Sequence, residues 1–406
     1  MKSRSSRSAP GLQQKETGRR PFPFVAFQQE PDDGQDHDPA SPARHSATRP
    51  SGKASSPHVL EHMFYDSLGM PRDRPLTRPV LRAPAPAVPE SGGIMRPAKP
   101  LPPTLRAWAE HAVGPLSAVR DASHPRENSR VWDLTDTRGR RFFVKQSPAP
   151  EFYERETFGY RSAVPALGFG RAPRLVDTDA RRLALLLTAV PGAPVSRLSL
   201  TVPEHRAAHR QFGTLLRRLH GTEKMPAQGR RAAEAAVEHM AAAAERHLAH
   251  AGDRLSGTRR TLVRRAAENL LRLTDLLAPG HIHGDAQERN ALWAGTPSGS
   301  RPGSRAGAGA GTGRLAMIDF ERSRYAPAVQ DFVRLACGPW QGRDDLRAAF
   351  FQGYGRPPTD AERHALPCLA ALDAASCLAY GPAHGEHDVT ERGLRTLDRL
   401  EKGIFG

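Results

Sequence analysis

The stretch HIHGDAQERNALW at residues 281–293 decides both the fold class and the chemistry of this 406-residue chain. It holds Asp285 and Asn290 in the pattern His-Gly-Asp-x4-Asn, and a second stretch, MIDFE at 317–321, places Asp319 after apolar residues. Each acidic residue alone is also typical of a turn, a helix cap or a strand end. Because all three occur in this order, with apolar residues after Asn290 and before Asp319, we interpret them as one site.

Phosphoryl transfer is the chemistry that these side chains fit. The reaction leaves little covalent work to the protein, which must orient the acceptor hydroxyl and neutralise charge with metal ions. We expect one of the two carboxylates to orient the hydroxyl and accept its proton, and the Asn290 oxygen and the other carboxylate to bind Mg²⁺, which prefers oxygen ligands. A zinc site of His281, His283 and Asp285 is a weaker alternative, because no further ligand is spaced to complete it.

The chain before this motif predicts a small sheet with one helix. Two short strands at 130–134 and 141–145 are joined by a turn at 137–139. A helix follows at 152–161. The apolar run LALLLTAV at 183–190, stopped by Pro-Gly, is typical of a buried strand that passes into a linker.

The chain after this linker is helical in pattern up to about residue 279, and helical periodicity returns near the C-terminus, as at 366–380. The Gly-rich segment 299–313 lies between two predicted strands. A phosphate-binding P-loop is the alternative for this segment, but it lacks the Gly-Lys-Ser/Thr ending and no helix follows it. We therefore predict a flexible surface loop.

Residues 1–103 are rich in Pro, Arg, Ser and Ala and show no sustained hydrophobic period. Such a segment cannot bury enough apolar surface to offset its ordering entropy, so we predict a disordered extension. The predicted domains are this extension, an N-terminal lobe at 104–190 and a C-terminal lobe at 191–406.

Composition limits the partners and the compartment. The formal charge of +16 is spread along the chain without a clustered stripe or a nucleic-acid reader motif, so no nucleic-acid partner is expected. No apolar run suits a signal peptide or a bilayer span, so no membrane partner is expected. Cys337, Cys368 and Cys377 lack metal-ligand spacing and indicate buried thiols in a reducing, cytoplasmic setting. Nothing in the sequence indicates the oligomeric state.

The motifs resemble those of the aminoglycoside phosphotransferase and choline kinase superfamily, distant relatives of the protein kinases, over about residues 128–380. The resemblance implies an α+β, two-lobed, protein-kinase-like fold with a small antiparallel-sheet N-lobe and a larger, mostly helical C-lobe. It implies a kinase that uses ATP and Mg²⁺ on a small-molecule hydroxyl, with Asp285 as catalytic base and Asn290 and Asp319 as metal ligands. His283 would support the loop backbone, and Asp331 would be a structural acid that closes the segment.

The resemblance also extends to the N-terminal half. Lys145 ends a predicted strand where the family keeps the lysine that contacts the nucleotide phosphates. Glu156 stands where the family's helix supplies the ion-pair partner of that lysine. Glu154 is the rival partner, but Glu156 shares a helix face with Phe152 and Tyr160 at i, i+4 and i+8 spacing, so we prefer Glu156.

The run before Pro191 resembles the interlobe hinge of the family, which implies that the backbone of Thr188 and Val190 pairs with adenine. One feature departs from the pattern of the kinases, because no Gly-x-Gly-x-x-Gly precedes the first strand. The segment 123–129 would cover the phosphates instead, with Ser129 as the candidate contact.

The sequence leaves the acceptor open. A polycationic aminoglycoside needs a cleft lined with carboxylates, whereas the acidic residues of the last helices are interleaved with Arg and His and resemble solvated helix faces. An antibiotic kinase and a metabolic kinase of an amino alcohol or sugar both fit. A nucleotide-binding regulatory pseudokinase is a third reading, against which the complete set of catalytic residues argues. The acidic residues considered are Asp344, Asp345, Asp360, Glu362, Asp373, Glu386, Asp388 and Glu391.

Overall fold

The computed structural model describes residues 98–123, 130–221, 225–295 and 313–405. Most of the predicted extension, Ser129 and nearly all of the Gly-rich insertion lie outside the described residues. What we predict for them therefore stays a prediction.

The N-terminal lobe is a five-stranded antiparallel sheet with two helices. The strand order is β1-β2-β3-β5-β4, and the hairpin and helix predicted around residues 130–161 are confirmed. The elements are α1 Pro103–Val113, β1 Leu116–Asp121, β2 Val131–Asp136, β3 Arg141–Gln146, α2 Pro150–Ser162, β4 Leu175–Asp179 and β5 Ala184–Thr188.

The two faces of strand β3 have different surroundings. Phe142 and Val144 are buried in a cluster with Leu105 of α1. Because successive side chains of a strand alternate between faces, Phe143 and Lys145 lie on the other face. That face is the one covered by α2, so Lys145 points toward the helix that carries its predicted partner.

Helix α1 and strand β1 were not predicted from the sequence. The chain is already ordered ahead of α1, because the backbone N–H of Lys99 donates to Asp121 at 2.7 Å and its carbonyl accepts from the Trp132 indole at 2.8 Å. The sheet therefore makes contacts with a residue inside the segment that we assigned to the extension.

The C-terminal lobe is mostly helical, with three short strand pairs that carry the loops of the site. Strand β7 pairs with β10, and β8 pairs with β6 and β9, all antiparallel. The elements are β6 Ala193–Pro194, α3 Val202–His220, α4 Ala227–Ala251, α5 Gly257–Arg272, β7 Pro279–Ile282, β8 Ala291–Ala294, β9 Arg314–Met317, β10 Arg324–Pro327, α6 Val333–Ala336, α7 Asp344–Tyr354, α8 Asp360–Tyr380 and α9 His387–Glu401.

Helix α3 is positioned by its cap and by close packing. Thr201 and Glu204 form a capping box at its N-terminus. It packs against α7 through Gly213 and Gly353, where an added Cβ would collide with the backbone of the facing helix. This contact fixes the position of α3, whose His205 and His209 contact Glu288 in the loop that follows β7.

Helix α8 is a core helix. The stretch Asp360–His384 is long and apolar enough to cross a membrane by length and composition, but 61% of its apolar 18-residue segment is buried inside the protein. It packs against α4, α5 and α9. All three cysteines are buried and free, and burial raises the pKa of Cys337 to about 12, so this thiol is unreactive at neutral pH.

Candidate active site

The motif 283–290 forms the loop between β7 and β8, and Asp319 follows β9. The backbone N–H of Ile318 donates to the Asn290 carbonyl at 3.0 Å, and β8 pairs with β9. The two segments that the sequence singled out are therefore neighbours in space, although the predicted insertion separates them along the chain.

Asp331 holds the start of this loop. Its buried carboxylate accepts hydrogen bonds from the backbone N–H of His283 at 2.7 Å and of Gly284 at 2.8 Å. It also contacts His220 Nε2 at 2.9 Å, and His220 Nδ1 contacts the Tyr354 hydroxyl at 2.9 Å. This buried network fixes the backbone directly before Asp285.

His283 links the loop to the second segment. Its Nδ1 accepts from the backbone N–H of Asp285 at 3.3 Å, so the ring proton lies on Nε2, which donates to the Ile318 carbonyl at 3.0 Å. Gly284 adopts φ +79°, and an added Cβ would collide with the Arg322 carbonyl. Glycine is therefore required at the second position of the motif.

The carboxylate of Asp285 is buried among donors. It accepts from Gln287 at 2.6 Å, from Arg289 Nη2 at 2.9 Å and from Asn290 Nδ2 at 3.1 Å. Burial alone would raise the pKa of Asp285, but the positive charges of Arg334, Arg322 and Arg289 lower this pKa far below its usual value. Asp285 is therefore an anion at neutral pH.

Two side-chain oxygens of the site remain available for a cation. The amide nitrogen of Asn290 donates to the carbonyl and the carboxylate of Asp285, which leaves Asn290 Oδ1 without a hydrogen bond within the described residues. Asp319 uses Oδ1 to bind Lys145, and Oδ2 has no partner in the same part of the chain. One amide oxygen and one carboxylate oxygen fit the ligand preference of Mg²⁺.

Asp319 occupies an unusual backbone conformation. Its φ of +69° makes it one of two non-glycine residues in the described chain with a positive φ. Among residues with a side chain, aspartate and asparagine adopt this left-handed region most readily, and non-glycine residues found there concentrate at functional sites. Aspartate thus suits the turn that directs this carboxylate toward Lys145.

Lys145 is the centre of an ion cluster. Its Nζ lies 3.0 Å from Glu156 Oε2, 2.7 Å from Asp319 Oδ1 and 3.0 Å from Glu321 Oε2. Burial and the neighbouring carboxylates raise the pKa of Glu156 to about 7, although Lys145 opposes the shift. Glu154 is exposed on the other side of α2, so the structure pairs Lys145 with Glu156.

The loop is also held from α3. Glu288 Oε1 lies 2.5 Å from His205 Nε2 and 3.0 Å from His209 Nε2. The three ligand atoms are close enough to hold a metal ion. However, Trp340 Nε1 donates to His209 Nδ1 at 3.3 Å, which places the His209 proton on Nε2 and directs it to Glu288. The cluster is therefore a hydrogen-bonded anchor for the loop.

The expected hinge lies at the end of β5. The Thr188 N–H donates to the Arg174 carbonyl at 2.9 Å, and the Ala189 N–H donates to the Arg141 carbonyl at 3.1 Å. The Val190 N–H has no partner among the residues that the structure describes. Val190 can therefore offer an N–H to a ligand, whereas Thr188 can offer only its carbonyl.

Several site residues were missed by the sequence reading. Glu321 could have been found, since this acidic residue ends the stretch MIDFE at 317–321, which the sequence singled out for Asp319. Arg334 and Trp340 contact the site through tertiary packing and carry no local signal. The missed residues are His205, His209, His220, Glu288, Arg289, Glu321, Arg334 and Trp340.

Comparisons with known proteins identify the family. The sequence model of the phosphotransferase enzyme family matches residues 119–366, well over half of the chain. No curated protein sequence gives a significant match.

Solved structures give the same fold at low identity. The gentamicin complex of APH(2")-IIa superposes with a TM-score of 0.51 at 15% identity, over 76% of this chain and 99% of that one. A thermostable mutant of aminoglycoside phosphotransferase APH(4)-Ia gives a TM-score of 0.52 at 14% identity, over 74% and 99%. The two-lobed, kinase-like fold is thereby confirmed, and the chain belongs to the phosphotransferase enzyme family.

Proposed function

We propose that this phosphotransferase is a kinase that transfers the γ-phosphate of ATP to a hydroxyl group of a small molecule. The observation that carries the proposal is the contact of Lys145 with both Glu156 and Asp319. A lysine held between a helix of the N-lobe and an acid of the C-lobe lies where a nucleotide bound between the lobes presents its phosphates.

The nucleotide side of the site needs positive charge. One ammonium group, Lys145, stands among the carboxylates of Glu156, Asp319 and Glu321. Mg²⁺, when bound there, neutralises the charge that develops on the transferred phosphoryl group. Asp319 Oδ2 and Asn290 Oδ1 are the oxygens that would hold it, and we assign the backbone of Val190 and Thr188 to adenine.

On the acceptor side, Asp285 orients the hydroxyl and accepts its proton. Its low pKa, caused by Arg334, Arg322 and Arg289 against the effect of burial, makes it a weak base. Orientation of the hydroxyl is thus its larger contribution, since phosphoryl transfer depends mainly on positioning. Ser129, which lies outside the described residues, stays our candidate for contact with the phosphates.

Two acceptor classes remain within this proposal: an antibiotic, as in the structural neighbours with bound gentamicin or kanamycin, and a metabolite. The test is ADP release from ATP and Mg²⁺ over a panel of hydroxyl compounds. Release that depends on an acceptor supports the proposal. ATP binding without turnover of any acceptor would favour a regulatory pseudokinase.

We also infer a cytoplasmic location, since ATP and free thiols fit that compartment.

A further inference from the structure

Two guanidinium groups flank the carboxylate on which the acceptor hydroxyl would bind. Arg289 Nη2 lies 2.9 Å from Asp285 Oδ2, and Arg334 Nε lies 3.8 Å from Asp285 Oδ1. Arg322 adds a third positive charge, which also lowers the pKa of Asp285 against the effect of burial. A group next to the reacting hydroxyl would therefore meet positive charge.

The positive charge continues away from the nucleotide residues. Arg334 Nη2 lies 3.2 Å from Asp373 Oδ1, and Arg392 Nη2 lies 3.8 Å from Asp373 Oδ2. The two carboxylates of Asp285 and Asp373 are thus surrounded by four guanidinium groups, which gives this region an excess of positive charge. The four residues are Arg289, Arg322, Arg334 and Arg392. The cluster around Lys145 instead has an excess of negative charge, with three carboxylates and one lysine.

Most of the carboxylates that could bind a polycation already have an arginine partner. Most of the acidic residues of the last helices form ion pairs with arginine, so an aminoglycoside would have to displace these partners. The pairs are Asp345 with Arg206 and Arg343, Asp360 with Arg363, Glu362 with Arg356, Asp373 with Arg334 and Arg392, and Glu391 with Arg395.

Arginine binds carboxylate and phosphate groups through paired N–H donors, and such hydrogen bonds are stronger than those between neutral groups. Arg289 is suited to this task, because its side chain is 46% exposed and can turn toward a ligand. Arg334 is less exposed, at 19%, and its position between Asp285 and Asp373 fixes it.

An alternative role for these arginines is to bind the γ-phosphate of the nucleotide instead of the acceptor. Arg334 and Arg392 lie on α6 and α9 in the C-terminal lobe, whereas Lys145, on β3, is the cation assigned to the phosphates. Their partner Asp373 also lies in the C-terminal helices, on α8. This location favours the acceptor.

We propose that the acceptor is an anionic hydroxyl compound, with a carboxylate or phosphate close to the hydroxyl that is phosphorylated, and that Arg289 and Arg334 recognise this anion. The inference rests on the proposed kinase function and names the substrate class of the same site.

The first experiment uses the full chain with ATP, Mg²⁺ and a polar metabolite extract separated by ion exchange. Matched pure compounds, glycerate against glycerol, gluconate against glucose, and kanamycin, are assayed beside it. ADP release should be highest with the fraction retained on the anion exchanger. Highest release with kanamycin or with the cationic or neutral fraction would overturn the anionic class and leave the kinase function standing. No release in any fraction, with Asp285→Asn equal to wild type, would overturn both.

The second experiment measures KM values for the best acceptor. Arg289→Gln and Arg334→Met should each raise the acceptor KM by about 10- to 100-fold, the loss expected for a hydrogen bond to a charged group, with the KM for ATP unchanged. Arg363→Gln, which removes an exposed arginine paired with Asp360, is the control and should change neither. Because Arg289 is exposed, its variant tests the proposal even if Arg334→Met fails to fold. A rise in the KM for ATP alone would assign the arginines to the nucleotide and overturn the proposal.

Discussion

Lys145 and Asp319 are 174 positions apart in the chain, and their side chains meet at 2.7 Å between Nζ and Oδ1. The first residue ends a strand of the N-lobe, and the second follows a strand of the C-lobe. The same ammonium group also contacts Glu156 and Glu321. The contact links the two lobes at the place where we propose that the nucleotide binds.

Glu156 orients Lys145 in this arrangement, which predicts a difference between two neighbouring glutamates. Glu156→Gln should lower kcat/KM by about 10²-fold, mainly through a higher KM for ATP, because a displaced Lys145 no longer meets the phosphates. Steady-state kinetics with varied ATP measures the effect. Glu154→Gln, an exposed change on the same helix, is the matched control. Equal effects of the two changes would contradict the assignment.

Asp319 should act through the metal. Asp319→Asn removes a negative charge while it keeps the shape of the side chain and tolerates the positive φ. The apparent affinities for Mg²⁺ and for ATP should therefore weaken together, and turnover should fall with them. Titration of activity with Mg²⁺ at several ATP concentrations measures this coupling. A loss of turnover with unchanged Mg²⁺ dependence would show that Asp319 has another role.

Glu288 anchors the catalytic loop on α3. Glu288→Ala removes both histidine contacts and leaves the buried His209 without its acceptor, so we expect a loss of about 1–3 kcal/mol in stability. It should also lower kcat by about 10²-fold, since Asp285 and Asn290 share this loop. Thermal unfolding and kinetics measure the two effects. Stoichiometric zinc in the purified wild type, absent from the variant, would instead identify a metal site.

Buried histidines predict a loss of stability in acid. Burial, with Arg246 and His250, lowers the pKa of His247 from 6.5 to about 4, and burial lowers the pKa of His281 to about 4. The unfolded chain binds these protons first, so their contribution is complete above about pH 6.5 and is lost as the pH falls toward 4. Each difference corresponds to about 3 kcal/mol at most.

The Tm should therefore fall between pH 6.5 and 4.5. His247→Leu should make this decline shallower, whereas His364→Leu, at an exposed position of α8, should leave it unchanged. An identical decline in both variants would show that other groups control the acid stability.

The sequence predicted the elements whose signal is local. The alternation in RFFVK and the helix face of Glu156 depend on neighbouring residues, and the structure places both as expected. The family and the two-lobed fold followed from the His-Gly-Asp-x4-Asn spacing and are confirmed. The roles of Asp285, Asn290 and Asp319 stay predictions.

Tertiary contacts explain what the sequence did not predict. Strand β1 alternates little and exposes half of its side chains, so hydrophobic periodicity could not reveal it. Arg334, on a four-residue helix, reaches Asp285 only because the chain folds back after β10. The contact between Lys99 and Trp132 likewise joins residues that no local pattern relates.

Turnover of Asp285→Asn is the measurement that tests the central claim most directly. The substitution keeps the size of the side chain and removes the carboxylate that orients the acceptor. ATP-dependent phosphorylation should fall by about 10²–10⁴-fold, the range for a lost general base, while the affinities for ATP and Mg²⁺ stay close to those of the wild type. Unchanged turnover, or a variant that loses Mg²⁺ binding while Asp319→Asn retains it, would contradict the account.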